Sequence, residues 1–239
     1  MRICCLRNYC SYTCHLFDLC ISKNLMLITI FSYDRRDMLK ALSDELINKD
    51  FIIIDDGSEF TKTVRDHRII RTRHEGKRGF WKKWLIARQI ALGSEHDWFL
   101  FLPDDVSNVN IKALEAVTMQ GWDKHLIALN VLEFGDRNRW GNYWIGQKEM
   151  TIEGVNIREC GYVDGAFLTN RTTLELLPID QVPSTWFDRS DKSSGVGHQM
   201  TLKLGKLRVP MLVGSFAYHG AHDSVMHGEH RKKTPLITL

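Results

Sequence analysis

Trp98-Phe99-Leu100-Phe101-Leu102-Pro103-Asp104-Asp105 is the stretch on which the fold turns. An unbroken run of large apolar residues, with no polar residue on alternate positions, suits a strand covered on both faces, as in a parallel sheet between two helical layers. The run ends abruptly in two adjacent carboxylates, and Ile111, Leu114 and Val117 then recur at helical spacing. Upstream the same phrase appears twice. Leu27 to Phe31 runs into Ser32-Tyr33-Asp34-Arg35-Arg36 and a helix carrying Met38, Leu39, Leu42 and Leu46, and Phe51 to Ile54 runs into Asp55-Asp56-Gly57-Ser58. Arg68-Ile69-Ile70 reads as a short third strand, and from Lys77 a helix sets Phe80, Trp84, Ala87 and Ala91 on one stripe with basic residues on its exposed positions. Strand alternating with helix predicts an α/β fold with a mostly parallel central sheet and helices on both faces.

Beyond residue 120 the pattern becomes mixed. Leu126 to Leu132 reads as a strand, Gly135 to Gly146 as a glycine- and aromatic-rich loop and Thr151 to Cys160 as a hairpin. Ala166 to Thr169 reads as a buried strand, Thr172 to Leu177 as a short helix ended by Pro178, and a further helix opens near Val196.

The 239 residues, 44% hydrophobic and 26% charged, are enough for one globular domain with a sizeable core. Five of the six cysteines fall at Cys4, Cys5, Cys10, Cys14 and Cys20, leaving only Cys160 in the body. Their spacings lack the paired C-x2-C units of a structural zinc site, and one remaining cysteine makes no disulfide framework, which points to a reduced, cytoplasmic protein. Residues 1–25 have apolar patches broken by Arg7, Asn8, His15 and Asp18, unlike a signal peptide or a membrane span, so no membrane association is expected. Met26 opens directly onto a strand. Residues 1–25 are therefore read as a cysteine-rich leader outside the fold, with a small zinc or redox element as the alternative, and residues 26–239 as one domain, divided into 26–120 and 121–239. The formal charge is only +3, but Lys62 to Arg88 holds ten Lys or Arg against Asp66 and Glu75, either a solvated face or a surface for phosphates.

Carboxylates that follow parallel strands lie where open α/β sheets bind ligands. Asp55-Asp56 and Asp104-Asp105 are two such pairs. A lone aspartate there is equally a turn or capping residue, but a pair beside a nucleoside diphosphate needs a divalent cation, Mg2+ or Mn2+, to bridge the oxygens.

Leu27 to Tyr33, Phe51 to Ser58 and Phe99 to Val106 together resemble the first, second and fourth strands of the nucleotide-sugar-binding half of GT-A glycosyltransferases of the family 2 type. Gly161-Tyr162-Val163-Asp164-Gly165-Ala166-Phe167-Leu168 is placed like the acceptor-side segment of that Rossmann-like fold. Ser193 to Met200 and His219 to His227 look similar to small transferases of bacteria and their phages. The resemblance implies a UDP-sugar as donor, with Asp56 on the base, Asp104 on the ribose side and Asp105 on the metal, and Ser32, Tyr33 and Arg35 beside the donor. Pro103 replaces the usual first Asp of a D-D-D element, which shifts the weight onto Asp105. It also implies that Lys77 and Arg78 lie near the diphosphate and that His219 and His222 join the metal or pyrophosphate. The E-D base motif and the Q-x-x-R-W element of family 2 are absent. The base candidates are Asp191, Asp188 and Asp164.

Arg137, Arg139, Trp140, Tyr143 and Trp144 form a basic, aromatic cluster suited to stacking on a sugar or base, with Arg139, Trp140 and Trp144 as acceptor-site candidates. Trp81, Lys82, Lys83 and Trp84 offer a second such surface, or Trp84 lies in the core with the lysines solvated. The expected function is a metal-dependent glycosyltransferase acting on an acceptor hydroxyl, with a modified base of phage DNA as one acceptor and a saccharide or protein as the other. Two further enzyme readings are a haloacid-dehalogenase-like hydrolase, suggested by Ile54 to Ser58 though its aspartates are adjacent, and a nucleotidyltransferase, whose G-x-G-x-R loop is missing. A non-catalytic nucleic-acid-binding protein is the reading from a different class.

Overall fold

The computed structural model describes residues 26–63, 66–74, 76–129, 149–161, 163, 165–177 and 196–219. In chain order these form β1 (Met26–Ser32), α1 (Arg36–Glu45), β2 (Phe51–Asp55), a 3-10 turn (Glu59–Thr63), β3 (Ile69–Arg71), α2 (Gly76–Gly93), β4 (Trp98–Pro103), β5 (Val106–Ser107) and α3 (Ile111–Thr118). They continue with β6 (Leu126–Ala128), β7 (Glu149–Ile152), β8 (Val155–Glu159), β9 (Phe167–Asn170), α4 (Arg171–Glu175), α5 (Val196–Lys206), β10 (Met211–Gly214) and β11 (Tyr218–His219).

Nine strands make one sheet in the order β3-β2-β1-β4-β9-β6-β10-β8-β7, and β11 pairs with β5 in a separate ladder. The N-terminal quartet is parallel throughout. β9 then runs against β4 and β6, and β8 against β10 and β7, while β10 lies parallel to β6. This is the α/β, Rossmann-like architecture expected, with the mixed strands confined to the C-terminal half.

Strand alternation sends neighbouring residues to opposite layers. Ile28, Ile30, Leu100 and Leu102 pack with Leu39 and Leu42 of α1, Leu46 just past its end, and Ala113, Leu114 and Val117 of α3. Leu27, Phe99 and Phe101 pack on the other face with Trp81, Trp84, Ala87 and Ala91 of α2, Leu174 of α4, and Met200 and Leu204 of α5. Trp84 meets Phe101 edge-on at 4.9 Å between ring centroids, and Phe101 lies 5.0 Å from Phe167. Such pairs add about 0.5–1.5 kcal/mol each beyond the area they bury. The β7–β8 hairpin turns on Glu153 and Gly154, at φ 48° and 78°, the two successive positive values of a tight hairpin turn.

The stripe on α2 is wider than the sequence pattern implies. Trp81 and Lys83 are as buried as Trp84, at 0% and 3% exposure. That corrects the expectation of solvated lysines for Lys83, and it removes Trp81, Lys83 and Trp84 from any nucleic-acid-binding surface.

Candidate functional site

Register brings the ends of three strands level: Ser32 pairs with Asp55 and Phe31 with Pro103. The residues that follow each strand therefore emerge side by side at the carboxyl edge of the sheet, where parallel sheets open into a crevice. Backbone bonds extend the alignment one residue further, from Asp56 N–H to the Ser32 carbonyl at 2.8 Å and from Asp104 N–H to the Phe31 carbonyl at 3.0 Å.

Asp104 is buried and well held. Its Oδ2 accepts from Ser32 Oγ at 2.9 Å and Tyr33 N–H at 3.1 Å, and its Oδ1 accepts from Arg35 Nη1 at 3.0 Å. Burial pushes its pKa up to about 6, against the pull of Arg35 and Ser32, with Asp105 adding to the rise. The same Arg35 Nη1 lies 2.7 Å from Asp105 Oδ2. One guanidinium thus serves two buried carboxylates. Burial alone would lower the Arg35 pKa, but Asp105 and Asp104 outweigh it and raise it further.

Asp55 and Asp56, adjacent in sequence, have opposite employments. Asp55 Oδ2 accepts from Gly57 N–H, Ser58 N–H and Thr61 Oγ1, and its Oδ1 accepts from Ser58 Oγ. It organises the turn. An aspartate with both oxygens engaged in this way is no poised nucleophile, which weighs against the hydrolase reading. Asp56 turns the other way, with Oδ2 paired to the buried Lys83 Nζ and to His74 Nδ1 at 2.8 Å. Its Oδ1 is buried and has no hydrogen-bond partner among the described residues. His74 in turn stacks on Tyr33, with ring centroids 4.1 Å apart and planes 6° from parallel.

Gly57 makes room for this arrangement. It sits at φ 77°, and a Cβ there would lie 3.0 Å from the Thr72 carbonyl and 3.1 Å from His74 N. Gly57→Ala is expected to cost about 1–3 kcal/mol, from left-handed strain and from displacing the segment that carries His74. Urea unfolding measures it, and a loss below a few tenths of a kcal/mol would mean that the turn relaxes without strain.

The remaining candidates are placed unevenly. Lys77 and Arg78 lie in the first turn of α2, directly after the His74 segment, with their side chains outside the described set. β11 pairs with β5 so that His219 stands opposite Val106, the residue after Asp105, which brings the start of the C-terminal tail to the aspartate pair by backbone register alone. His222, Asp164, Asp188, Asp191, Arg139, Trp140 and Trp144 lie outside the described residues, as do Arg137 and Tyr143 and the leader 1–25. Sequence reasoning missed His74, and it read Lys83 only as part of a basic surface or as solvated, not as the buried partner of Asp56. Lys83 did carry a signal, because it sits three residues after Phe80 and four before Ala87, on the apolar stripe, and a lysine is seldom buried without an anion.

Among the described residues no group of three His, Cys, Asp or Glu side chains is gathered to hold a metal on protein ligands alone. Mg2+ or Mn2+ on a nucleoside diphosphate needs only one or two carboxylates, the phosphates supplying further oxygens. The Asp104–Asp105 pair fits that demand, since two of its oxygens already converge on one cationic nitrogen, that of Arg35.

No protein-family model and no curated protein sequence matches the chain. Among solved structures, a mycobacterial protein matches with a TM-score of 0.50 at 15% identity, over 84% of this chain and 68% of that one. A glycosyltransferase involved in glycosylating the major capsid of PBCV-1 matches with a TM-score of 0.40 at 15% identity, over 79% and 81%. A CMP:2-keto-3-deoxy-manno-octonic acid synthetase in complex with CTP matches with a TM-score of 0.46 at 10% identity, over 79% and 88%. At these identities the likeness concerns the fold. No helix among the described residues is long and apolar enough to cross a membrane.

Proposed function

We propose that this chain is a GT-A-type glycosyltransferase that takes a sugar from a nucleoside diphosphate, with UDP as the nucleotide, and transfers it to an acceptor hydroxyl. One observation carries the reading: at a single sheet edge, an aspartate with a buried open oxygen stands beside a Tyr–His stack, and a second aspartate pair beside it already grips a cation. In this reading Asp56 Oδ1 accepts the one N–H that the pairing edge of uracil offers, and Lys83 and His74 hold the carboxylate in place. Asp104, locked by Ser32 and Tyr33, faces the ribose side. Asp105 would hold Mn2+ or Mg2+, with His219 and His222 as further ligands. When bound, the ion would neutralise the charge that builds on the departing diphosphate. Arg35, Lys77 and Arg78 supply cations to the same phosphates.

The acceptor oxygen forms its bond to the anomeric carbon as the bond from that carbon to the diphosphate oxygen breaks. The hydroxyl proton passes to a carboxylate, for which Asp191, Asp188 and Asp164 are the candidates, or to the departing phosphate. For the acceptor we favour a hydroxymethylated or already glycosylated base in DNA. Its support is the basic charge between Lys62 and Arg88 and the Arg- and Trp-rich stretch from Arg137 to Trp144, without the buried Trp81, Lys83 and Trp84. Saccharide or protein acceptors are the alternative.

The test offers purified protein a panel of labelled sugar nucleotides with Mn2+, hydroxymethyl-modified DNA, unmodified DNA and simple saccharides. Release of UDP with label entering the modified DNA is the expected result. In parallel arms, pyrophosphate released from a nucleoside triphosphate with a sugar 1-phosphate would make the chain a nucleotidyltransferase, inorganic phosphate released from a phosphomonoester a hydrolase, and DNA binding without turnover of any of these a non-catalytic nucleic-acid binder. Label entering saccharides alone would keep the donor half of the reading and overturn the acceptor.

A further inference from the structure

Arg35 stands where two functions meet. Its Nη1 is 3.0 Å from Asp104 Oδ1 and 2.7 Å from Asp105 Oδ2, and the two carboxylates are each about 5% exposed, while the arginine side chain is 16% exposed. The chain turns into position through Asp34, held at φ 54° by a bond from its N–H to Ser58 Oγ, and Arg35 then opens α1. Two buried anions this close repel unless a cation lies between them, and here the protein provides its own.

A divalent ion held at Asp105 must compete with that guanidinium. Displacing it leaves a charge that needs a new anion. The fork of an arginine matches a phosphate as well as a carboxylate, and on the reading of the site proposed above a diphosphate arrives together with the ion at this same place. We infer that Arg35 is the built-in counter-cation of the aspartate pair, and that it makes divalent cation and nucleotide bind cooperatively: the ion displaces the guanidinium from Asp104 and Asp105, and the diphosphate receives it. Each ligand then removes the obstacle to the other, and linkage requires the coupling to be reciprocal.

The experiment titrates Mn2+ into metal-free protein with and without UDP, following unbound Mn2+ by its electron paramagnetic resonance signal, so that no turnover is needed. For the unaltered chain, Mn2+ alone should bind weakly and UDP should tighten it roughly tenfold or more, within the usual range of coupling between sites. In Arg35→Gln, Mn2+ alone should bind about tenfold more tightly, and the enhancement by UDP should shrink to about twofold. Arg35→Lys, whose shorter side chain does not carry its charge out to the position of Nη1, should lie between the two, and it carries the test if the glutamine variant does not fold. Mn2+ affinity without nucleotide that is unchanged or weaker in the substituted proteins would overturn the inference. If UDP has no effect on any of the proteins while Arg35→Gln still tightens Mn2+, the counter-cation stands, and the nucleotide reading and its coupling fail.

Discussion

Asp105→Asn is expected to lower sugar-nucleotide turnover by roughly a thousandfold, equivalent to about 4 kcal/mol of transition-state stabilisation, while the protein stays folded. The amide keeps the size of the side chain but not the anionic oxygen that a hard cation selects. The fold should survive because Arg35 keeps Asp104 as its partner at 3.0 Å, and Asp104 keeps Ser32 and Tyr33. Removing one of two buried carboxylates also relieves a repulsion. The comparison is made at saturating Mn2+ by release of nucleoside diphosphate, with a thermal melt alongside. A variant that keeps a tenth of the activity would remove Asp105 from the metal and put the charge stabilisation elsewhere in the site.

Lys83→Met should have the largest effect on stability, a loss of about 3 kcal/mol, or on the order of 10 °C in the melting temperature of a domain this size. Lys83 is 3% exposed and pairs with Asp56, itself 7% exposed. Methionine fills much the same volume but leaves the Asp56 charge buried with, among the described residues, only His74 at its Oδ2, and an uncompensated buried charge is what makes such a truncation costly. The double variant Lys83→Met with Asp56→Asn should recover much of the loss, because the buried anion goes with its partner. Urea unfolding of the four proteins gives the coupling. A single-variant loss under 1 kcal/mol, or no recovery in the double variant, would mean that Lys83 is held by contacts other than Asp56.

Much of the parallel half was legible because its signal is local. β1, β2 and β4 are apolar runs buried on both faces, and a run of that kind admits few other readings. The positions of Asp56, Asp104 and Asp105 follow from those runs, since a carboxylate one or two residues past a parallel strand has to emerge at the ligand edge. Strand partners in the second half were not legible, because direction and neighbour are set between distant segments. β9 enters antiparallel between β4 and β6, and β10 lies between β6 and β8, without any mark in their own residues. Two-residue strands such as β5 and β11 exist only through each other.

Spacing and apolar pattern, which act over a few residues, were enough for the layered α/β class, the chain order of its first strands and the aspartates that directly follow them. The surroundings of each carboxylate came from packing between distant segments. Asp55 and Asp56 are chemically identical neighbours, yet one is spent on the turn to Ser58 and Thr61 and the other faces Lys83 and His74. Arg35, Asp104 and Asp105, some seventy residues apart in sequence, meet only because β1 and β4 lie side by side in register. Electrostatic role depends on distance and burial, and those are properties of the packed sheet and its helices.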